Sequence, residues 1–247
     1  MCYQRFQRLV PLVGEGAFGK IQQSHVMIFG IGGVGSYAAE ALARSGIGSL
    51  TLVDYDDVAI HNINRQIHAL SSTVGRKKAE VMAERIKDID PNINIRVIGT
   101  RVTPENIESF FPEPVDFILD AVDDVAAKIS LICYGLDHSI PLISSMGTGN
   151  KLDPAALSIA DISETSVCPL CRSVRRQLRI RGIEKGVTVV YSREQPITKG
   201  IIEDGRQVPA SSCLVPPSAG ILMASWVIRK IINEVENNKE ELLCPIK

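Results

Sequence analysis

Four glycines clustered behind a short apolar segment restrict the fold of this chain more than any other feature. The apolar residues 25–29 predict a β-strand, and residues 36–45 carry alanines and a leucine at helical spacing. The glycines between them are Gly30, Gly32, Gly33 and Gly35. Glycine allows a sharp backbone turn and the close approach of a phosphate, and the N-terminus of a helix attracts anions. The stretch therefore predicts a nucleotide-binding βαβ unit, without identifying the nucleotide.

A polar loop behind the second strand indicates which nucleotide is bound. Residues 50–53 predict that strand, and Asp54 ends it about 20 residues after the glycines, where a carboxylate can bind ribose hydroxyls. The loop then supplies Asp56, Asn62, Asn64, Arg65 and Gln66. Arginine and amide groups suit phosphates better than they suit the redox ring of NAD, so we favour ATP over NAD. The alternatives are a loop that only caps the sheet and an NAD dehydrogenase.

The composition is that of one globular domain spanning residues 1–247. Hydrophobic residues make up 45% of the chain and charged residues 22%, and the net charge is −1. Such a charge gives no global attraction to nucleic acid, so any contact of that kind needs a local patch. With no signal-peptide core and no membrane-spanning segment, we expect a cytoplasmic protein without membrane contact. The six cysteines are scattered, and we expect most of them to be reduced thiols.

Alternating apolar strands and amphipathic helices predict an α/β fold. We expect an N-terminal helix over residues 1–22, broken near residues 14–19, and a closing helix over residues 220–235. Further strands are expected at residues 93–98, 115–122, 141–146, 156–161 and 187–191.

A helix predicted over residues 75–90 begins with three consecutive cations. Arg76, Lys77 and Lys78 fall in its first turn, where positive charge opposes the helix dipole. This local conflict indicates an anionic ligand near the start of the helix.

Two acids follow the strand predicted at residues 115–122. Asp123 is a candidate Mg²⁺ ligand, because Mg²⁺ in such sites takes one or two carboxylates together with phosphate oxygens and water. Asp124 is a candidate N-cap for the helical segment at residues 125–139. The two roles are compatible.

A helix predicted over residues 168–181 carries positive charge on one side. The arginines at spacings of three and four are Arg172, Arg175, Arg176 and Arg179. Contact with a phosphate backbone and a solvated helical face explain this pattern equally well. The segment begins with Cys168 and Cys171, a single CxxC without the second pair that a structural zinc site needs.

Residues 192–217 lack periodicity and predict a long C-terminal loop. Cys213 lies in this loop. A thiol that reaches the active site and an incidental thiol are both compatible with the sequence, and we prefer the second.

In combination these motifs resemble the superfamily of ubiquitin-activating-enzyme-like adenylating proteins, which includes the ThiF and MoeB class. The resemblance is carried by the glycine turn and by residues 54–56, 64–66, 75–78 and 120–123. Within the superfamily, the family of tRNA threonylcarbamoyladenosine dehydratases is similar at residues 39–48, 62–70, 79–85, 144–154 and 159–163. The resemblance implies a Rossmann-like three-layer α/β fold whose mostly parallel sheet becomes mixed in the C-terminal half.

The implied activity is the ATP-dependent adenylation of the carboxylate of threonylcarbamoyladenosine in tRNA, next to the anticodon, followed by cyclisation with loss of AMP. Asp54 would bind the ribose. Arg65 and Lys78 would bind the phosphates, and Asp123 would hold Mg²⁺. Support would come from Asn62 or Asn64 and from Gln66.

The resemblance also implies a homodimer. In this superfamily an arginine from the N-terminal helix of a second subunit completes the phosphate site. Arg8 is the better match for that arginine, and Arg5 is the second choice. A monovalent cation near Gly147 and a sulfur-transfer protein partner stay open.

Two other functions compete with the tRNA-modifying enzyme. One is an adenylating activator of a ubiquitin-like sulfur-carrier protein of the ThiF or MoeB type, against which the single CxxC counts. The other is a non-catalytic adaptor that binds a nucleotide, and the complete set of Asp54, Arg65, Lys78 and Asp123 argues against it.

Overall fold

The structure, a computed structural model, describes residues 2–203 and 205–243. Its helices are α1 (Cys2–Phe6), α2 (Val10–Val13), α3 (Glu15–Gln23), α4 (Gly35–Arg44), α5 (Lys78–Ile89), α6 (Val125–Asp137), α7 (Pro169–Ile180) and α8 (Val215–Leu243). Its strands are β1 (His25–Phe29), β2 (Ser49–Val53), β3 (Asn94–Ile98), β4 (Phe117–Asp120), β5 (Leu142–Ser145), β6 (Leu157–Asp161), β7 (Thr188–Ser192), β8 (Ile201–Glu203) and β9 (Arg206–Val208).

A central sheet of seven strands within the described residues has the order β3-β2-β1-β4-β5-β7-β6. The pairs from β3 through to β7 are parallel, and β6 joins β7 antiparallel at one edge. The chain order reverses between β1 and β4, and ligands of open α/β sheets bind at the carboxyl ends of the strands beside such a reversal. The expected mostly parallel sheet that becomes mixed in the C-terminal half is confirmed.

Strand β1 shows how the sheet forms the middle of three layers. Val26 and Ile28 pack in an apolar cluster with α4, α5 and α8, whereas Met27 and Phe29 pack against α6 on the other face. Successive side chains of a strand point to opposite faces, so a strand covered on both sides is apolar throughout. This is why residues 25–29 show no polar alternation.

Two expected elements were wrong in detail. In the N-terminal region only Gly14 interrupts α2 and α3, because Gly16 and Gly19 lie within α3. Residues 192–217 are not one loop, since they include the hairpin β8–β9 and the start of α8. Met1 of the predicted N-terminal helix and Asp204 of the predicted loop lie outside the described residues.

The start of α5 was also placed too early. The helix begins at Lys78, so Arg76 and Lys77 precede its first turn and do not lie in it, contrary to the expectation. Each has an acidic partner instead, Glu84 for Arg76 and Asp57 for Lys77.

Of the helices that the structure describes, none combines the length and the apolar character needed to cross a membrane.

Candidate active site

The glycine turn lies where the carboxyl ends of β1, β2 and β4 meet. Gly30 has a φ of 84°, and a Cβ on it would lie 2.7 Å from the carbonyl oxygen of Ala121. A Cβ on Gly35 would lie 1.8 Å from the carbonyl oxygen of Gly30. Side chains at these two positions would therefore force the turn open. A Cβ on Gly32 would have Nε2 of Gln66 as its nearest neighbour, at 3.8 Å, so the turn is open on the side of that amide.

Asp54 ties the glycine turn to the end of β2. Its carboxylate accepts the backbone N–H of Ile31 at 2.6 Å and that of Asp56 at 2.9 Å. Burial raises the pKa of Asp54, while the positive charge of Lys78 and the two N–H donors oppose that rise. The residue expected to bind ribose thus also builds the turn that faces the ligand.

Lys78 lies beside these carboxylates at the first position of α5. Its side chain is buried, with 9% of it exposed, and Nζ donates to Oδ2 of Asp56 at 2.7 Å. The backbone N–H of Lys78 also donates to the carbonyl oxygen of Asp56 at 3.1 Å. The fold therefore brings Lys78 to the loop that contains Asp54 and Asp56, 22 residues before it in the case of Asp56.

The loop residues Asn62, Asn64 and Arg65 differ in burial and in partners. Asn62 is buried, and its Oδ1 accepts the N–H of Ala59 at 3.0 Å, so this amide shapes the loop. Arg65 is half-buried and donates to the carbonyl oxygen of His61 at 2.9 Å and to Oδ1 of Asn64 at 2.8 Å. Its Cγ lies 3.4 Å from the Cβ position of Gly33, so the Arg65 side chain lies against the glycine turn.

Two buried polar side chains next to this loop lack hydrogen-bond partners among the described residues. Oε1 of Gln66 is unpaired, and so are both ring nitrogens of His68. Burial, with the nearby charges of Lys78 and Arg85, lowers the pKa of His68 to about 4. Unpaired buried polar atoms are costly, so these three atoms are available to water or to a ligand, and Gln66 is the one whose side chain lies near Gly32.

The segment before α8 covers the other side of the glycine turn. Asn64 Nδ2 donates to the carbonyl oxygen of Ser211 at 2.9 Å, and the Cβ of Pro216 lies 3.2 Å from the Cβ position of Gly33. Cys213 is exposed between these two contacts, and its Sγ lies 3.2 Å from the hydroxyl of Tyr37. Burial and this hydrogen bond raise the pKa of Tyr37 to about 12.

The two acids after β4 have different surroundings. Asp124 caps α6 by accepting the N–H of Ala127 at 2.9 Å and pairs with Arg101 at 3.2 Å, so the predicted N-cap is confirmed. Asp123 is exposed and makes no hydrogen bond or ion pair with the residues that the structure describes. In that same part of the chain no group of three or more His, Cys, Asp or Glu side chains is placed to hold a metal ion.

Arg5 lies away from Lys78 of its own chain. Arg5 donates to the carbonyl oxygen of Ile89 at 2.7 Å, at the C-terminal end of α5. Lys78 is at the other end of that helix, roughly 17 Å away for a rise of about 1.5 Å per residue. Arg8 is exposed and makes no hydrogen bond or ion pair within residues 2–203 and 205–243.

The arginines of α7 are not equivalent. Arg172, Arg176 and Arg179 are exposed. Arg175 is half-buried and donates to the carbonyl oxygen of Thr165 at 2.7 Å and to the hydroxyl of the same residue. Arg175 therefore fastens α7 to the loop before it, which leaves three arginines on the open face.

A buried ion pair at the end of β4 was not predicted from the sequence. Nζ of the fully buried Lys128 donates to Oδ2 of Asp120 at 2.6 Å and to the carbonyl oxygen of Ser145 at 3.0 Å. The second carboxylate oxygen of Asp120 accepts the N–H of Val122, so the pair shapes the loop that leads to Asp123. A lysine inside an otherwise apolar helix was the available signal.

A cleft of about 610 Å³ lies at the opposite, amino-terminal edge of the sheet. Its walls include Phe111, Tyr134 and His138, and none of the predicted site residues lines it. The stacked rings of Phe111 and Tyr134, with centroids 4.1 Å apart, fill one side of this cleft. It is therefore separate from the nucleotide-binding edge.

Comparison with known proteins identifies relatives over nearly the whole chain. The model of the ThiF family matches residues 3–244. The tRNA threonylcarbamoyladenosine dehydratase of Bacillus subtilis (strain 168) is 42% identical over 244 residues, which cover 94% of this chain and 96% of that protein. The solved structure of the E. coli dehydratase TcdA in complex with ATP has a TM-score of 0.88 and 37% identity, covering 95% of this chain and 96% of that one.

A sulfur-carrier activator is more distant. The sulfur carrier protein ThiS adenylyltransferase of Escherichia coli (strain K12) is 33% identical over 154 residues, which cover 61% of each chain. The similarity to the dehydratases extends over nearly the whole chain, including α7 and α8. This chain therefore belongs to the ThiF family and, within it, to the tRNA threonylcarbamoyladenosine dehydratases.

Proposed function

We propose that this chain catalyses the ATP-dependent dehydration of threonylcarbamoyladenosine in tRNA, next to the anticodon. Three contacts carry the proposal: Asp54 binds the N–H of Ile31 in the glycine turn, Lys78 pairs with Asp56 close to Asp54, and the Arg65 side chain lies against Gly33. Family membership indicates the substrate, and the side chains of Asp54, Arg65 and Lys78 are groups of the kind that the reaction needs.

The reaction must first make a carboxylate into an electrophile, because a carboxylate cannot expel oxide. Its oxygen attacks the α-phosphorus of ATP, the bond from that phosphorus to the bridging oxygen breaks, and pyrophosphate leaves. The modified nucleoside then closes a ring onto the activated carbonyl carbon, and AMP leaves with the former carboxylate oxygen. The sum is loss of one water from the nucleoside and cleavage of ATP to AMP and pyrophosphate.

Positive groups are needed because both partners of the first step are anions. Lys78 and Arg65 would stabilise the negative charge that develops at the α-phosphate. Hydrogen-bond donors fixed in position stabilise such charge more strongly where water is excluded. Asp56 orients Lys78 through the 2.7 Å contact, and Asn64 orients Arg65. Asp54 would accept the ribose hydroxyls, and the unpaired Oε1 of Gln66 offers a further acceptor to the ligand.

Asp123 is suited to be the one protein ligand of a Mg²⁺ ion whose other ligands are phosphate oxygens and water. Its exposed carboxylate is not engaged by any described residue, whereas Asp124 and Asp56 are already paired. When bound, the ion would supply positive charge to the phosphates.

We propose that the working enzyme is a homodimer in which Arg8 of one subunit reaches the phosphates of the other. Arg5 is bound to the far end of α5, which leaves the exposed Arg8 as the better donor. Large apolar side chains exposed on the N-terminal segment and the nucleotide loop are a natural contact surface. They are Leu12, Ile60, Ile63, Leu70 and Val74.

Contact with tRNA is assigned to the open face of α7. Arg172, Arg176 and Arg179 present three positive charges there, and an overall charge of −1 gives the chain no other general attraction to a polyanion. Arg175 is excluded from this surface because it binds Thr165.

The experiment is incubation of ATP and tRNA that bears threonylcarbamoyladenosine with the enzyme, followed by mass analysis of the nucleosides. We expect a product lighter by one water, and Arg65→Ala should abolish it while the thermal unfolding curve stays unchanged. An unchanged nucleoside mass would refute the proposal. Pyrophosphate exchange that requires a Gly-Gly-ended carrier protein and no tRNA would favour the sulfur-carrier activator.

A further inference from the structure

Asn150, in the turn after β5, binds the chain on both sides of the hairpin β8–β9. Its backbone N–H donates to the carbonyl oxygen of Ala210 at 2.7 Å, and its Oδ1 accepts the N–H of Ala210 at 2.7 Å. Its carbonyl oxygen accepts the N–H of Ile197 at 2.9 Å. Because Ile197 precedes the hairpin and Ala210 follows it, one residue holds both ends of the segment that contains β8 and β9.

The residue types at this turn suit the close contact. Asn150 has a φ of 62°, a left-handed conformation that asparagine adopts more readily than most residues. A Cβ on Gly149 would lie 2.6 Å from the Cβ of Pro209, so the two segments can approach this closely only with glycine at that position. Asparagine at position 150 thus tolerates the backbone conformation and also supplies a side-chain acceptor for Ala210.

The turn that carries Asn150 is fastened to the central sheet. The neighbouring Lys151 is buried, and its Nζ donates to the carbonyl oxygens of Gly147 at 3.1 Å and of Ser192 at 3.4 Å. Ser192 ends β7, which pairs with β5, so this lysine ties the turn to two strands of the sheet. A two-stranded hairpin such as β8–β9 is only marginally stable by itself in water. The sheet therefore holds the hairpin segment in place through Asn150.

The held segment continues directly into the nucleotide site. Ser211 follows Ala210, and its carbonyl oxygen accepts Nδ2 of Asn64 at 2.9 Å. Oδ1 of the same Asn64 accepts Nη1 of Arg65 at 2.8 Å. Both ends of the Asn64 carboxamide are thus engaged, and its two partners fix its orientation. A continuous series of bonds therefore leads from Asn150 through Ala210, Ser211 and Asn64 to the guanidinium of Arg65.

We propose that Asn150 is a positioning residue for the nucleotide phosphates. It holds Ala210 and Ser211, and through Asn64 it sets the direction of the Arg65 guanidinium. The proposal rests on the proposed function, in which Arg65 binds the phosphates. A guanidinium that is already oriented loses less conformational freedom when the nucleotide binds, so the affinity for ATP is higher.

The first test measures the Kd of the full-length protein for ATP without tRNA. Asn150→Gly allows the left-handed backbone and its hydrogen bonds but removes the Oδ1 acceptor. Loss of one such bond should raise the Kd about two- to ten-fold, while the far-ultraviolet circular dichroism stays that of the wild type. Asn150→Asp keeps an acceptor oxygen and tolerates the same φ, so it should retain the wild-type affinity. An unchanged Kd in Asn150→Gly, or equal losses in the two variants, would overturn the proposal.

Gln207→Ala is the matched control for loss of one hydrogen bond in the same segment. Nε2 of Gln207 donates to the carbonyl oxygen of Lys199 at 2.6 Å within the hairpin, away from the series of bonds that ends at Arg65. Its removal should leave the Kd for ATP unchanged. A Kd raised as much as in Asn150→Gly would show that general loosening of the hairpin, and not the bond from Asn150, affects the nucleotide.

A double-variant cycle tests the route through Asn64. In an Asn64→Ala background, Asn150→Gly should cause no further loss of affinity, because the connection from Ser211 to Arg65 is already broken. An equal further loss would contradict action through Asn64. Coupling between binding events is reciprocal, so ATP should slow hydrogen exchange at the Ala210 amide in the wild type but not in Asn64→Ala. Exchange in the wild type that does not respond to ATP would also contradict the proposal.

The wild type separates failure of this role from failure of the proposed function. A wild type that does not bind ATP would refute the proposed function, and the role of Asn150 with it. A wild type that binds ATP and dehydrates the tRNA nucleoside, with a Kd that Asn150→Gly does not change, would refute the role of Asn150 alone.

Discussion

Lys78 Nζ lies 2.7 Å from Oδ2 of Asp56, so the ammonium group assigned to the phosphates is held in place by a carboxylate of its own chain. The contact joins the first turn of α5 to the loop after β2. It neutralises a cation that would otherwise oppose the helix dipole, and it keeps that cation near Asp54. The position of Lys78 is thus fixed by the fold before it is used in the reaction.

Replacing this lysine is expected to remove a group that acts in the transition state. Lys78→Met should lower kcat/KM for AMP formation by about 10²–10³, equivalent to roughly 2.7–4 kcal/mol, by analogy with loss of one oxyanion donor. Lys77→Met is the matched control, because Lys77 is the neighbouring residue and its exposed side chain binds only Asp57 and the carbonyl oxygen of Tyr55 among the described residues. Equal losses in the two variants would show that a general loss of charge, not the position of Lys78, matters.

Sharing of the site between subunits predicts complementation. Lys78→Met and Arg8→Ala should each be inactive as homodimers, but mixed dimers contain one site with both residues intact. Activity should therefore return when the two inactive proteins are unfolded together and refolded, as measured by release of AMP. A mixture that stays inactive would contradict supply of Arg8 from the partner. Arg5→Ala, which loses the bond to Ile89, should retain the site and serves as control.

The face of α7 makes a salt-dependent prediction. Changing Arg172, Arg176 and Arg179 together to Gln should weaken tRNA binding and reduce the slope of affinity against salt concentration, because fewer counterions are released. The rate of AMP formation at saturating tRNA should be unchanged. Arg175→Gln should instead lower the thermal stability through the lost bonds to Thr165. An unaltered salt slope in the triple variant would exclude this face as the tRNA contact.

His68 links stability to pH. Its pKa is about 4 in the folded chain and 6.5 when unperturbed, so below pH 6.5 the unfolded chain takes up the proton first. As the pH is lowered from about 6.5 to about 4, the free energy of unfolding should therefore decrease. His68 contributes about 3 kcal/mol to this decrease, which levels off below about pH 4. His68→Leu should flatten this part of the curve relative to the wild type, whereas a change of the exposed His61 to Gln should not. Curves that coincide for the wild type and His68→Leu would contradict the account.

The buried pair of Lys128 and Asp120 should show strong coupling. Lys128→Met leaves a buried carboxylate unpaired and should cost about 3–5 kcal/mol in the free energy of unfolding. A double variant that also carries Asp120→Leu should be more stable than Lys128→Met alone, because no buried charge is then left without a partner. Denaturant unfolding of the two proteins measures the difference. A double variant that is less stable than the single one would show that the pair contributes more than mutual neutralisation.

The sequence was sufficient for the sheet and the glycine turn because both leave local patterns. Residues 25–29 are apolar throughout, and the spacing of the glycines matches the steric limits at Gly30 and Gly35. The sequence also indicated that Asp124 caps a helix, since an N-cap is set by residues three positions apart.

Contacts between distant segments could not be predicted in the same way. The roles of Arg175 and Lys128 depend on Thr165 and Asp120, which the folded chain brings to them. The start of α5 was misplaced because Arg76 and Lys77 precede the helix and pair there with Glu84 and Asp57, which no helical periodicity reveals. Tertiary contacts thus determine the roles of Arg175 and Lys128 and the start of α5, which local propensity does not.

Labelling the oxygen that leaves with AMP tests the central claim most directly. If both carboxylate oxygens of threonylcarbamoyladenosine in tRNA are a heavy isotope, attack of either one on the α-phosphorus places it in AMP when the ring closes. The account predicts AMP with one heavy oxygen for each nucleoside dehydrated. Unlabelled AMP, with the heavy oxygen recovered in phosphate or water, would contradict activation of this carboxylate by adenylation.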